Sequence, residues 1–373
     1  MKDTAEQNRN GFLDFQKAIL IFCVVWTHCA TSFEAGVILW KDNYLNVTVT
    51  TFQMQLFILI SGYLFYSSLQ KYGVTVNVLK KTLEIAFPAV LWNFGAFVVS
   101  RLANGEALAF DFATLRAAAA AALGSLWYLW VLYFITVIVC IASKLKKEYL
   151  KIIFFVIIEA ISHFVPVNTY YFGAMFPFFL IGYYCNYLMK KYPDIEKGRI
   201  RHFIYALAIM YPVLRLLYRP EYSMYIAGVL FDTSNAAYLA YAYFIRFICA
   251  LSGCAAVWTV CRLVFSYLRN RKAHSINWLC KVGKYTMPIY IMHMYMIDGI
   301  YALSAKLGIG AWLSDNLFLL NFVISPVAAV LLICISIAIY RLLTATPVLK
   351  YAFGIPLKRL KPDLLIRSGA NAN

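Results

Sequence analysis

The sequence alternates between long apolar runs and short polar segments. About 20 apolar residues in a helix, at 1.5 Å per residue, cross the roughly 30 Å hydrocarbon layer of a bilayer. Ten runs of about this length lie along the chain. They cover residues 12–33, 47–66, 82–100, 121–142, 150–165, 170–189, 202–218, 236–265, 285–303 and 318–343. The pattern predicts an all-α polytopic membrane protein with about ten transmembrane helices.

The basic residues test this count independently. With the N-terminus placed in the cytoplasm, 26 of the 34 Lys and Arg residues fall in cytoplasmic segments and six fall on the opposite side. Lys17 and Arg246 lie inside spans. Cytoplasmic loops of membrane proteins carry the excess of Lys and Arg, and a missed span would invert every later loop. The distribution therefore predicts ten spans with both termini in the cytoplasm.

Composition agrees with a lipid environment. Hydrophobic residues make up 62% of the 373 residues and charged residues 14%, against about a quarter charged in soluble domains. The net charge of +17 is explained by the loops, which argues against a nucleic-acid partner. The nine cysteines form no Cys-x-x-Cys pair, so no metal site is predicted. We predict one membrane domain over residues 1–357 and a basic cytoplasmic tail over 358–373.

The first span carries the most informative charges. Lys17 and His28 are eleven residues apart, which places them on one helix face about 16 Å apart along the axis. Asp14 is one turn before Lys17 and could pair with it. Lys17 could also simply reach the cytoplasmic interface, and His28 could be a packing histidine. A cation at the mouth and an imidazole at depth suit a long ligand with an anionic head, such as coenzyme A, and neutral imidazole is the usual general base.

These residues carry a resemblance to a known family. Leu13-Asp14-x-x-Lys17, continuing to His28, resembles the first-span motif of the acyltransferase family 3 membrane proteins, which has Arg or Lys, ten residues and then His. Further blocks agree in order along the chain. They are Leu59–Tyr63, Lys80-Lys81 with Phe87-Pro88 and Trp92, Leu126–Leu129, Phe176–Phe178 with Gly182-Tyr183, and Tyr285–His293 with Pro288 and Tyr290 between. Glu84 departs from the pattern, because many members have Arg near that position.

The resemblance implies an enzyme that transfers an acyl group, usually acetyl from acetyl-CoA, to a hydroxyl of a glycan or lipid-linked sugar. It implies that His28 is the catalytic histidine and that Lys17, Lys80 and Lys81 bind the acyl-CoA donor, with no metal. A bacterial cytoplasmic (inner) membrane is the expected location, and membrane lipids the expected surroundings. Succinyl or another short acyl group fits as well as acetyl.

Several residues keep two interpretations. Ser61 and Gly62 either permit close helix packing or belong to the site, and His293, near Tyr290, either makes a structural hydrogen bond or contacts substrate. Trp127 belongs to an aromatic belt or stacks on a sugar. Arg246 is expected to pair with Asp14, Glu84, Glu159 or Asp298. The alternative function is a transporter or flippase of an anionic substrate or glycolipid, which would use the same buried charges as a pathway.

Overall fold

The computed structural model describes residues 11–106, 111–162, 169–192, 199–225, 235–271 and 273–356. These residues are folded into helices and connecting turns, without a strand among them. The helices are α1 Gly11–Glu34, α2 Tyr44–Val49, α3 Gln53–Lys81, α4 Phe87–Ala103, α5 Phe112–Ala122, α6 Trp127–Ala142, α7 Glu148–Ser162, α8 Thr169–Lys191, α9 Arg199–Leu217, α10 Ala236–Asn270, α11 His274–Val282, α12 Thr286–Leu307, α13 Ile309–Ser314 and α14 Leu317–Ala345.

A helix lies at each of the ten predicted apolar runs. By length and composition, six helical stretches of the described chain could cross a membrane, or seven if the bent pair α5 and α6 counts as one span. One of the six stretches, Tyr44–Ala103, contains two of the predicted runs. The all-α fold and several apolar helices are confirmed, whereas ten crossings and the cytoplasmic placement of both termini stay predictions. The predicted tail at 358–373 lies outside the described residues.

Local sequence explains where several helices begin and end. The side chain of Asn43 accepts a hydrogen bond from the backbone N–H of Leu45 and caps α2, and Asn235 caps α10 in the same way through Tyr238. Short polar side chains at this position satisfy backbone N–H groups that the helix leaves open. Gly308 ends α12 with φ of 65°, a left-handed conformation that glycine adopts without a steric cost.

Two segments differ from the predicted loops. Residues 67–81, predicted as a polar connection, continue α3, and Gly73 breaks the helix with φ of 70°. The Asn77 amide donates to the carbonyl oxygens of Gly73 at 2.6 Å and Ser68 at 3.0 Å, so the carbonyls freed at the break are satisfied. The Ala-rich stretch 117–122, expected as a helix former that leads into the fourth span, instead ends a separate helix, α5, which is bent by 77° from α6. Good helix formers thus extend helices beyond the apolar runs.

The chain divides into two compact units. The first comprises residues 1–60 and 188–339, and the second comprises 61–187 and 340–373. In the first unit, α1 packs on α11 and α12, with Phe15, Leu20 and Ile21 fully buried. In the second unit, α3 and α8 touch where a Cβ added to Gly62 would lie 2.0 Å from the carbonyl oxygen of Phe179.

The first helix is fixed by backbone contacts at both ends. A Cβ added to Gly283 would lie 1.8 Å from the carbonyl oxygen of Asp14, and one added to Gly310 would lie 2.4 Å from the carbonyl oxygen of Glu34. Any residue with a side chain at either glycine would have to displace a backbone. We call these two contacts the glycine clamps of α1.

Candidate active site

The first unit brings two histidines together. The ring of His28 on α1 lies 5.3 Å, centroid to centroid, from the ring of His293 on α12, with the planes tilted by 54°. His293 is fully buried, whereas His28 is half-buried. Tyr290, one turn earlier on α12, also contacts this pair, because its ring centroid lies 5.7 Å from that of His293. The sequence placed His28 and His293 in different spans, and the fold makes them neighbours.

The surroundings of His293 determine which of its ring nitrogens carries the proton. Its Nδ1 is 2.9 Å from the backbone carbonyl oxygen of Ile289. A carbonyl oxygen accepts and cannot donate, so Nδ1 donates the hydrogen bond. In the neutral ring, Nε2 then presents a lone pair, and this buried atom has no hydrogen-bond partner among the described residues. The structural hydrogen bond considered from sequence is therefore present at one nitrogen, and the other is an available acceptor beside His28.

Lys17 lies at the opposite end of the same helix. Helix α1 runs without a break from Gly11 to Glu34, so the same-face placement of Lys17 and His28 follows from helix geometry. The Lys17 Nζ is 4.0 Å from Asp14 Oδ1, the pairing that the spacing predicted. Asp14 is buried, with Lys17 more exposed. This arrangement leaves a cation near the beginning of the helix and an imidazole about 16 Å further along.

Lys80 and Lys81 end helix α3 in the second unit. The Lys80 Nζ lies over the Tyr72 ring, 5.2 Å from its centroid, and Lys71 Nζ lies 5.1 Å from the same centroid. A π-helical turn, Thr82–Ala86, follows the two lysines and contains Glu84. Such turns are rare and occur often at functional sites.

The remaining residues predicted from sequence are mostly in packed positions. Ser61 hydrogen-bonds the Tyr128 side chain, and Trp127 stacks on Tyr171 with ring centroids 4.5 Å apart. The tight contact at Gly62 supports close helix packing, one of its two interpretations. Arg246 lies over the Tyr243 ring at 4.5 Å. Pairing of Arg246 with a carboxylate remains a prediction.

A buried polar cluster near the C-terminal end of α1 was missed from sequence. Glu34 is fully buried, and its Oε1 accepts a hydrogen bond from the Asn43 amide. Asn43 in turn pairs with Asn321 on α14. Glu34 follows directly after the predicted run 12–33 and so was assigned to a loop, and the asparagines carry no charge that would have singled them out.

No three His, Cys, Asp or Glu side chains of the described chain are grouped so that they could hold a metal ion. That the reaction needs no metal was inferred from the sequence, and it stays a prediction.

Comparison with known proteins gives one match. Comparison with proteins that have a curated description and with solved structures found no match. The family model described as an acyltransferase domain, that of acyltransferase family 3, matches residues 10–341. This range includes α1 to α13 and most of α14, and it contains the His28–His293 pair and every other residue of the candidate site. The chain therefore belongs to acyltransferase family 3.

Proposed function

We propose that the protein is a membrane O-acyltransferase that moves a short acyl group, in the first place acetyl, from acyl-CoA to a hydroxyl of a glycan or lipid-linked sugar. The observation that carries the proposal is the His28–His293 contact in a chain of this family. In the proposal, Lys17 binds the phosphates of coenzyme A, and the pantetheine arm reaches His28, both within the first unit. That Lys80 and Lys81 also bind the donor, as the family resemblance implies, stays a prediction. A bacterial inner membrane is the proposed location.

The proposed reaction has His28 as general base. His28 removes the proton from the acceptor hydroxyl, and the oxygen attacks the thioester carbonyl. When the carbon–sulfur bond breaks, the proton passes from His28 to the sulfur of coenzyme A. The products are the acyl ester and free coenzyme A, with no net proton released. His28 suits this role because part of its side chain is exposed, whereas the His293 ring is held by its hydrogen bond to the Ile289 carbonyl oxygen.

His293 is the proposed positioning residue. The bond from Nδ1 to the Ile289 carbonyl fixes its tautomer and leaves Nε2 as an acceptor on a ring that lies 5.3 Å from that of His28. An N–H of His28 that donates to Nε2 would hold the other His28 nitrogen unprotonated and ready to act as base. A second imidazole here would do for His28 what a carboxylate does for the histidine of a hydrolase triad.

The first experiment measures acetyl-CoA binding and slow acetyl-CoA hydrolysis by the purified protein in detergent. We expect His28→Ala to bind acetyl-CoA and to lose about 100-fold or more of the hydrolysis, because general bases contribute about 10²–10⁴-fold. We expect Lys17→Ala to weaken binding about tenfold, as loss of a charge-assisted contact does. Lys306→Ala, an exposed lysine of the same unit, is the matched control and should change neither.

His293 is tested by a pair of variants. His293→Gln retains an acceptor and should keep more than a tenth of the hydrolysis rate, whereas His293→Phe should lose about as much as His28→Ala. Both should bind acetyl-CoA normally. Equal rates for the two variants would reduce His293 to a packing residue.

Two results would reject the proposed function. One is the absence of acetyl-CoA binding to the wild type at millimolar concentration, and the other is full hydrolysis by His28→Ala. Either would favour the transporter or flippase alternative, which predicts passage of substrate through liposomes without consumption of acyl-CoA.

A further inference from the structure

We propose that Glu34 and Asn46, supported by Asn43 and Asn321, form a subsite that binds the hydroxyl groups of the acceptor sugar. This inference rests on the proposed function and adds to it the place where the acceptor is held. All four residues belong to the first unit, and each is at most 6% exposed. None of the four was expected from the sequence to have a role.

The Glu34 carboxylate is half satisfied. Its Oε1 accepts a hydrogen bond from Asn43 Nδ2, and its Oε2 has no partner among the described residues although the side chain is fully buried. A buried polar atom without a partner costs free energy, so native proteins pair nearly all of them. The described residues therefore leave one carboxylate oxygen, at 0% exposure, open to a donor that they do not supply.

The side-chain amides of Asn43 and Asn321, next to Glu34, are hydrogen-bonded to each other, so the orientation of this network is fixed. Asn43 Oδ1 accepts from the Leu45 backbone at 3.0 Å and from Asn321 Nδ2 at 3.1 Å. Asn43 Nδ2 donates to Glu34 and, at 3.0 Å, to Asn321 Oδ1. Reversing the Asn43 amide would place a donor against the Leu45 N–H. The free Glu34 oxygen therefore cannot be satisfied by an exchange within the network.

Asn46 supplies a second orphaned acceptor. Its Nδ2 donates to Thr31 Oγ1 at 3.1 Å, and Thr31 Oγ1 donates to the Thr27 carbonyl at 3.1 Å. Asn46 Oδ1 is left without a partner among the described residues. Thr31 is three residues beyond His28 on α1, and Glu34 is six residues beyond, about 9 Å along the axis. The two open acceptors thus follow the catalytic histidine along the helix.

Asn46 Oδ1 is an acceptor, and so is Glu34 Oε2 in the ionised carboxylate, which selects the class of ligand. A ligand with several O–H groups supplies one donor to each, as a sugar does. A monovalent cation would also be attracted to oxygen atoms, but the Asn43 and Asn321 amide hydrogens lie within this cluster and oppose a positive charge. The observations therefore favour a polyhydroxylated acceptor over a cation.

The helix that provides Asn321 is distorted at that residue. A π-helical turn, Leu320–Ile324, contains Asn321, and the Trp26 indole N–H donates to the Asn321 carbonyl oxygen at 2.7 Å. π-Turns are retained most often where a side chain is re-aimed for function. Here the turn leaves the Asn321 carbonyl available to Trp26 and directs its amide to Asn43.

The experiment separates transfer to the acceptor from reaction of the donor. Membrane vesicles of the native host that contain the protein are given radiolabelled acetyl-CoA, and label is measured in membrane glycan and as free acetate. In Glu34→Gln, the amide oxygen must keep its place against Asn43 Nδ2, so the amide NH₂ replaces the open oxygen and turns an acceptor into a donor. We expect glycan labelling to fall about 10- to 100-fold while release of acetate stays within about twofold of wild type.

Two further variants complete the design. Asn46→Leu removes the second acceptor and should have the same selective effect, which keeps the test informative if Glu34→Gln does not accumulate. Ser304→Ala is the matched control. It removes a buried hydrogen bond to the Phe33 carbonyl oxygen beside Glu34, but the Ser304 hydroxyl has its partner in the wild type and so offers no open acceptor to a ligand. It should leave glycan labelling unchanged.

Several outcomes would overturn the subsite. They are full glycan labelling by Glu34→Gln, a parallel loss of both readouts in both variants, transfer of label to membrane lipid or protein instead of glycan, and transfer that requires sodium in wild type but not in Glu34→Gln. If wild type neither binds nor hydrolyses acetyl-CoA, the proposed function itself has failed, which the acetate readout shows separately.

Discussion

The contact between Gly62 and the carbonyl oxygen of Phe179 gives the sharpest prediction about packing. A Cβ at residue 62 would lie 2.0 Å from that oxygen and 2.9 Å from the carbonyl carbon. The closest ordinary carbon-to-oxygen approach is about 3.3 Å, so α3 and α8 would have to part by about 1 Å. The obstacle is backbone and cannot rotate away. Gly62→Ala should therefore destabilise the second unit.

The size of the effect follows from two opposing terms. Forcing extra volume into a packed interface costs about 1–3 kcal/mol. Alanine in place of glycine within a helix stabilises that helix by about 1 kcal/mol. Gly95, inside α4 of the same unit, has nothing within 4 Å of an added Cβ and so provides the matched control. Gly95→Ala should gain the helix term alone, which places the two variants about 1–3 kcal/mol apart.

The assay is thermal unfolding of the two purified variants in the same detergent. At about 2 °C per kcal/mol, the low end of the range because the chain is long, their Tm values should differ by roughly 2–6 °C. Gly62→Ala should be the lower of the two. An equal or higher Tm for Gly62→Ala would refute the reasoning, and activity loss at unchanged Tm would return Gly62 to the functional interpretation.

Three further predictions concern the second unit. Asn77→Ala removes the hydrogen bonds that close the break in α3 and should cost about 2–3 kcal/mol, measured as faster amide exchange over the end of that helix. Trp92→Phe retains a ring but loses the indole hydrogen bond to the Ala352 carbonyl (2.8 Å), and should increase protease cleavage near that residue after a loss of about 1 kcal/mol. The Thr114 backbone N–H lowers the pKa of Asp111, so the cap of α5 is complete at neutral pH and is lost as the pH falls through that lowered pKa. Helix content measured by circular dichroism should decline in acid more in wild type than in Asp111→Ala.

The apolar runs were sufficient to locate the long helices, but not the short helices α5, α11 and α13, which lie wholly or mainly outside them. Each apolar run contains a helix, because about 20 apolar residues leave few other ways to satisfy the backbone in lipid. The Lys17–His28 relation was also predictable, since it depends on one unbroken helix and on helix geometry alone. The continuation of α3 through residues 67–81 was not, because a polar stretch of good helix formers has no apolar run to reveal it.

Contacts between segments that are far apart in the chain could not be predicted from the sequence. His28 and His293 are 265 positions apart, and nothing local to either indicates that their rings meet. The amide pair of Asn43 and Asn321 is a similar case, with 278 positions between its members. A search for charges in apolar runs finds titratable residues but passes over amides. Only a boundary one residue later would have brought Glu34 into the first run.

The glycine clamps of α1 have a mechanical consequence for the proposed reaction. Gly283 and Gly310 hold the two ends of this helix through close backbone contacts, which any sliding or rotation of α1 would have to break. A carrier that works by rocking needs its central helix to change neighbours during each cycle. In the proposed reaction, His28 would stay at a constant depth and the substrates would cover the distance. Stiffening α1 further should then leave the rate of acetyl-CoA hydrolysis unchanged.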